Sequence, residues 1–207
     1  MNRVTSTEYD SPIGPVLLTF VDDALVRLDV AHGGIERARA DISQRLGVVP
    51  DPDPSPGADL VAQLDEYFDG RRREFDVDLD WRFVRGFTRA ALEATREIPY
   101  GEVAAYGEVA MMAGVARAAR AVGTACAASP FSIVVPVHRV VRADGSIGEY
   151  GGHPEVKQYL LSLESAAVAS ESLSEPVDDG RDDARPAGAE PGVEAVSGRR
   201  PSRPRNR

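Results

Sequence analysis

Two regimes of hydrophobic patterning divide this chain. Near the N-terminus, apolar runs over residues 16–21 and Ala24–Val30 flank Asp22-Asp23, which predicts a β-hairpin and the start of a small sheet. The stretch GVVPDPDPSPGAD carries Pro50, Pro52, Pro54 and Pro56, so it continues neither a helix nor a central strand and predicts a loop between two helical patterns. Beyond it Leu60, Leu64 and Phe68 recur at four-residue spacing with Val61 beside them. They predict an amphipathic helix that stops at Gly70, ahead of the basic cluster Arg71-Arg72-Arg73.

From Trp81 the periodicity is helical throughout. Phe87, Ala91 and Ala94 share a face, Pro99-Tyr100-Gly101 makes a turn, a second helix is expected over 106–113, Gly114 turns the chain, and a third helix is expected over 115–127. Two helices about a short glycine turn suggest a helix-turn-helix. An apolar run over 131–135 leads into Pro136-Val137-His138-Arg139-Val140, then a glycine-punctuated loop over 144–152 and a closing helix over 155–164. The last 43 residues are rich in Asp, Glu, Ala, Gly, Pro and Ser and carry no aromatic, so 165–207 is expected to be a disordered tail. The expected organisation is an N-terminal α/β domain over 1–80, a helical domain over 81–164, and that tail.

Charge changes this picture where it is partitioned. A net charge of -9 argues against a nucleic-acid partner, but residues 1–80 hold 17 acidic and 8 basic side chains whereas 81–164 hold 8 and 9. The helical half is therefore free of the acidic excess and can face a polyanion. With 207 residues the chain can bury a core without staples, and the single Cys126 cannot form an internal disulfide. His32, His138 and His153 have no zinc-ligand spacing, so neither a metal nor a cofactor is expected. No apolar run approaches membrane-spanning length and no signal-type stretch opens the chain, so a cytoplasmic monomer is expected.

The candidate chemistry begins in the third helix. In ARAARAVGTACAA, Arg117 and Arg120 lie three apart among small side chains, a pattern that lets a helix enter a DNA groove with an arginine projecting into the base stack. At this point the sequence resembles the O6-alkylguanine-DNA alkyltransferases, also called methylated-DNA–protein-cysteine methyltransferases. The resemblance rests on SPIGPVLL, LDEYFDGRRREFDVDLD, IPYGEVAAYGEVA, ARAARAVGTA, VVPVHRVVRADGSIGEYGG and VKQYLLSLE, in order, across nearly all of the chain before the tail.

The resemblance implies an α/β fold: a ribonuclease H-like sheet-plus-helix domain followed by a winged-helix-like DNA-binding domain. It implies a partner, duplex DNA carrying O6-alkylguanine, whose damaged base is flipped out. Arg120 would fill the vacated stack, Tyr106 would turn the nucleotide, and Arg117 and Arg139 would join them on DNA. Val140, Tyr150, Gly151 and Gly152 would line or close the lesion pocket, with His138 as the base that acts through water in the transfer chemistry and Glu164 orienting it.

The departure is at Val137. The family signature Pro-Cys-His-Arg stands here as Pro136-Val137-His138-Arg139, and a hydrocarbon cannot be deprotonated or accept an alkyl group. Ser129, where the family has asparagine before Pro130, is a second departure that affects the hydrogen bonds of the loop. The chain is thus most similar to alkyltransferase-like members that lack the acceptor cysteine, bind the lesion and pass it to nucleotide excision repair proteins. Two alternatives stand beside this: a methyltransferase using Cys126 as another thiol, and a DNA-binding module without lesion preference.

Overall fold

The first strand, β1 (Val4–Ser11), is one that hydrophobic patterning does not reveal, because the residues it buries are the hydroxyl-bearing Thr5, Ser6 and Thr7. It pairs antiparallel with β2 (Gly14–Val21), which pairs antiparallel with β3 (Ala24–Val30) as the expected hairpin. Asp22 makes the hairpin turn in the left-handed region at φ 54, which a short polar side chain tolerates. The short β4 (Asp51–Pro52) joins β1 in parallel from the proline-rich stretch, giving the order β3-β2-β1-β4. β2 is covered on both faces: Leu17 packs with Ala38 and Ile42 of α1 (Ile35–Leu46), and Val16, Leu18 and Phe20 face the main core.

The structure, a computed structural model, describes residues 2–174, all within one compact unit. Helix α2 (Ala58–Phe68) sits on the inner face with Leu60, Leu64 and Tyr67 buried. A single bridge from Leu79 to Leu25 ends the N-terminal portion. Then α3 (Gly86–Arg96), α4 (Tyr106–Met112) and α5 (Ala119–Ala127) pack around Ala91, Val109, Ala110, Val122 and Val140, a core dominated by alanine and valine that permits close helix approach. Between them β5 (Ala104–Ala105) pairs in parallel with β6 (Val140–Val141).

The third helix was expected over 115–127, but it begins at Ala119. Gly114 ends α4 in the left-handed conformation at φ 81, Val115 N–H bonds back to Ala110, and Ala118 N–H to Val115, so residues 115–118 form turns. Arg117 therefore lies in the turn, and it does not share a helical face with Arg120. The closing helix, α6 (Pro154–Ser174), runs ten residues past the expected end at Glu164, so 165–174 is helix where disorder was expected. The reason is local: SAAVASESLS carries no glycine or proline, and the added turns rest on Gly70 and Gly101, whose missing side chains leave room for Ala167 and Val168. The rest of the expected tail, 175–207, lies outside the described residues.

One core spans the N-terminal and helical portions. Leu18, Leu28 and Leu64 meet Phe131, Val135, Val137, Val156 and Leu160 in a single cluster, so the segment carrying Val137 and His138 is clamped between sheet and helices. That segment enters through Ile133, a β-branched residue buried at φ 72. Such a residue in the left-handed region costs about 1–3 kcal/mol and persists only where its surroundings hold it.

Candidate functional site

At the centre of the buried segment is one carboxylate, Glu164, with a full set of donors. Tyr67 Oη donates to Oε1 at 2.7 Å, His138 Nε2 lies 2.8 Å from the same oxygen, and Arg139 donates through Nε at 2.9 Å and Nη2 at 3.0 Å. Gly101 N–H completes the set at 3.0 Å. The five donors come from α2, the turn before α4 and the Val137–Arg139 turn, so Glu164 joins both portions of the chain. Burial alone pushes this carboxyl up, but the hydrogen bonds from His138 and Arg139 and the charge of the Arg139 guanidinium outweigh it and hold the group at about 2.

His138 is wholly buried, and burial pushes its pKa down against the opposing pull of Glu164. A neutral ring beside an ionised carboxylate places the proton on Nε2, directed at Glu164, and leaves the lone pair on Nδ1. Among the described residues Nδ1 has no hydrogen-bond partner. The pair therefore has the form of an oriented base with its acceptor lone pair on Nδ1.

Next to it lies a cavity of about 530 Å³ whose wall includes Val137, Cys126, Tyr106, Tyr150 and Gly151. Tyr106 opens α4 and packs between α5 and the loop: the Cβ positions of Gly123 and Gly148 are 3.8 Å and 3.4 Å from its ring and hydroxyl. Cys126 is partly exposed to the cavity, and burial pushes its thiol up to about 11 despite Lys157 nearby. Ser129 also lines the wall, and its Oγ accepts from Phe131 N–H at 3.3 Å, so a hydroxyl serves the loop where the resemblance implies an amide.

Beside His138 and Glu164, the sequence-derived residues sort into four groups. Val137, Tyr106, Tyr150 and Gly151 meet at the cavity, with Gly152 next in the loop. Val140 stands behind the wall; its carbonyl accepts from the buried Lys157 Nζ at 2.6 Å. Arg120 and Arg117 are exposed on the first turn of α5 and the turn before it, away from the cavity wall. Arg139, expected to contact DNA, is corrected: it is 6% exposed, with Nε and Nη2 bonded to Glu164 and Nη1 to Ile98 O at 2.7 Å, so it is buried away from any phosphate.

Several site residues escaped the sequence reading. Tyr67 completes the row Leu60, Leu64, Tyr67 at helical spacing, which the four-residue row ending at Phe68 passed over. Lys157, the one lysine of the chain, stands among Val156 and Leu160, a signal that it is drawn inward. The β3 side of the cavity, with the Arg27–Asp29 pair and the stacked rings of His32 and His153 (centroids 3.6 Å apart), left no sequence signal because it is assembled across 120 residues of chain.

A sheet domain joined to a helix-turn-helix unit, with a cavity beside a buried His–Glu pair, defines a class whose comparison with known proteins is specific. The family model described as 6-O-methylguanine DNA methyltransferase, ribonuclease-like domain, matches residues 4–81, and that for the DNA binding domain of the same family matches residues 86–166. The chain belongs to the 6-O-methylguanine DNA methyltransferase family. It is 39% identical over 162 residues to a methylated-DNA–protein-cysteine methyltransferase of Mycobacterium tuberculosis, covering 78% of this chain and 93% of the relative. One from Methanosarcina barkeri is 34% identical, over 75% and 93% of the two chains. Among solved structures, that of Mycobacterium tuberculosis OGT in complex with DNA superposes with a TM-score of 0.67 at 38% identity, over 79% of this chain and 94% of the other. Among the described residues no helix is long and apolar enough to cross a membrane.

Proposed function

We propose that this chain is a cytoplasmic, monomeric DNA repair protein that binds O6-alkylguanine in duplex DNA, turns the damaged base into the cavity and holds it there without taking the alkyl group. One observation carries the reading: the side chain that the segment bearing His138 presents on the cavity wall is Val137, a hydrocarbon. Flipping needs shape, an inserted side chain and a pocket, whereas displacement at the alkyl carbon needs a thiolate. Arg120, exposed at the start of α5, fills the vacated stack; Tyr106 turns the nucleotide at the cavity mouth; Tyr150 and Gly151, with Gly152 and Val140, form the loop and wall around the base. Arg117 in the preceding turn reaches a phosphate. Binding without transfer leaves the lesion for a downstream system, which makes nucleotide excision repair proteins the fitting partners.

A second reading is favoured by one observation, that Cys126 lines the same cavity. Its thiol, raised to about 11, is unsuited to attack. At neutral pH about one molecule in ten thousand would carry the thiolate. Affinity for duplexes with and without O6-methylguanine at fixed salt, followed by intact-protein mass, separates the readings. Preference for the lesion with unchanged mass is expected. A gain of one methyl on Cys126 would establish the methyltransferase reading, and equal affinities would leave a DNA-binding module without lesion preference.

A further inference from the structure

We infer that Arg142 is the phosphate-binding residue of the cavity mouth and takes a phosphodiester of the nucleotide whose base enters the cavity; this rests on the base-flipping reading above. The assignment follows from the state of each cation around the cavity. Arg27 is hydrogen-bonded to Asp29 on its own strand. Lys157 is buried and donates to Val140 O, and Arg139 is held by Glu164. His32 is kept neutral by burial and by the facing ring of His153, and His153 Nδ1 is 2.9 Å from Glu155.

Arg142 differs from all of these. It is exposed, forms no ion pair among the described residues, and its one side-chain hydrogen bond runs from Nη1 to Ser146 Oγ at 3.4 Å, the long end of the range. Asp144 feels the charge of Arg142, but its Oδ1 accepts from Ser146 N–H at 3.0 Å and Ser146 Oγ at 2.7 Å, and among the described residues neither it nor Glu149, on the cavity wall, forms an ion pair with the guanidinium.

Gly148 is all that separates the guanidinium from the Tyr106 hydroxyl: its Cβ position is 3.7 Å from Arg142 Nε and 3.4 Å from Tyr106 Oη. Arg142 also lines a second, open groove that includes Val103, Gly107, Met111, Ala116 and Gly145. It is thus on the wall of both spaces, and a DNA strand with one base in the cavity and its backbone along the groove crosses it. The only full charge on that strand is phosphate, and a guanidinium with free donors is suited to it.

The test uses the full chain and its Arg142→Gln and Arg142→Lys variants, titrated against duplexes with and without O6-methylguanine over a series of salt concentrations. On the lesion duplex Arg142→Gln is expected to weaken binding and to reduce the slope of log affinity against log salt by about one. It should leave the undamaged duplex nearly unchanged, and Arg142→Lys should restore the slope. Equal loss on both duplexes would make Arg142 a general backbone contact, and no loss on either would remove it from the interface; each overturns the assignment. Absence of lesion preference in the unaltered protein refutes the flipping reading and the assignment with it, whereas preference there with an unchanged Arg142→Gln overturns the assignment alone. Thermal melting of the variants should match the parent, since the exposed side chain supports no core contact.

Discussion

Replacing Glu164 with glutamine tests how much the buried network contributes to the fold. The substitution keeps the volume but removes the charge, so the Arg139 guanidinium stays buried at 6% exposure without a counter-ion. One amide oxygen then faces the five donors that the two carboxylate oxygens now satisfy. Breaking a buried pair by removing one partner costs about 3–5 kcal/mol. The carboxyl's own shift, from an ordinary 4.5 to about 2, gives an independent figure. At 1.36 kcal/mol per pH unit that shift corresponds to about 3 kcal/mol of stability. A chain of this size loses about 2–4 °C of melting temperature per kcal/mol, so Glu164→Gln should melt about 6–20 °C lower at neutral pH. The pH dependence has a definite sign. A depressed carboxyl contributes fully above the unfolded value and loses that contribution as pH falls from about 4.5 towards 2. Calorimetric melts of parent and variant across that window should therefore converge in acid. A variant that melts within a degree of the parent at pH 7, or curves that stay parallel down to pH 2, would refute the reasoning.

Further outcomes follow from the same geometry. Val137→Cys places a thiol on the cavity wall, and incubation with an O6-methylguanine duplex should then add one methyl to the intact mass; an unchanged mass would show that more than the nucleophile is absent. Arg120→Ala should weaken binding to the lesion duplex by about 1–3 kcal/mol in a fluorescence titration, because the vacated stack is left unfilled, and should leave melting unchanged. Gly101→Ala should destabilise, since its φ is +79° and its new Cβ would stand 2.7 Å from Val168 Cγ2; an unchanged melt would show that the end of α6 is free to shift. His138, lowered by burial, binds its proton more readily when unfolded, so stability should fall as pH drops below about 6.5. His138→Asn should flatten that part of the profile.

The hairpin, α2 and the helical half were legible because their apolar residues recur at strand or helix spacing. β1 was not, because the side chains it buries are hydroxyls that read as surface. The start of α5 was misplaced by four residues because Ala-Arg-Ala-Ala suits a helix as well as a turn, and only the reversal at Gly114 decides between them. At the site, Tyr106, Val137 and Tyr150 were found because a long motif carries them. Arg139 was assigned to DNA, but nothing local in the sequence signals its burial, which depends on Glu164, 25 residues later, and Tyr67, far earlier. The β3 wall of the cavity depends on tertiary assembly alone.

The saturated carboxylate at Glu164 bears on how function is lost. A pair that would serve as base and orienter in a transfer reaction is also the joint between sheet and helices, so the nucleophile position can change at little cost to the fold, whereas a change at His138, Arg139 or Glu164 lowers stability. The side chains that look most like remnants of chemistry are then the last to change, and their presence testifies to the fold before it testifies to any reaction.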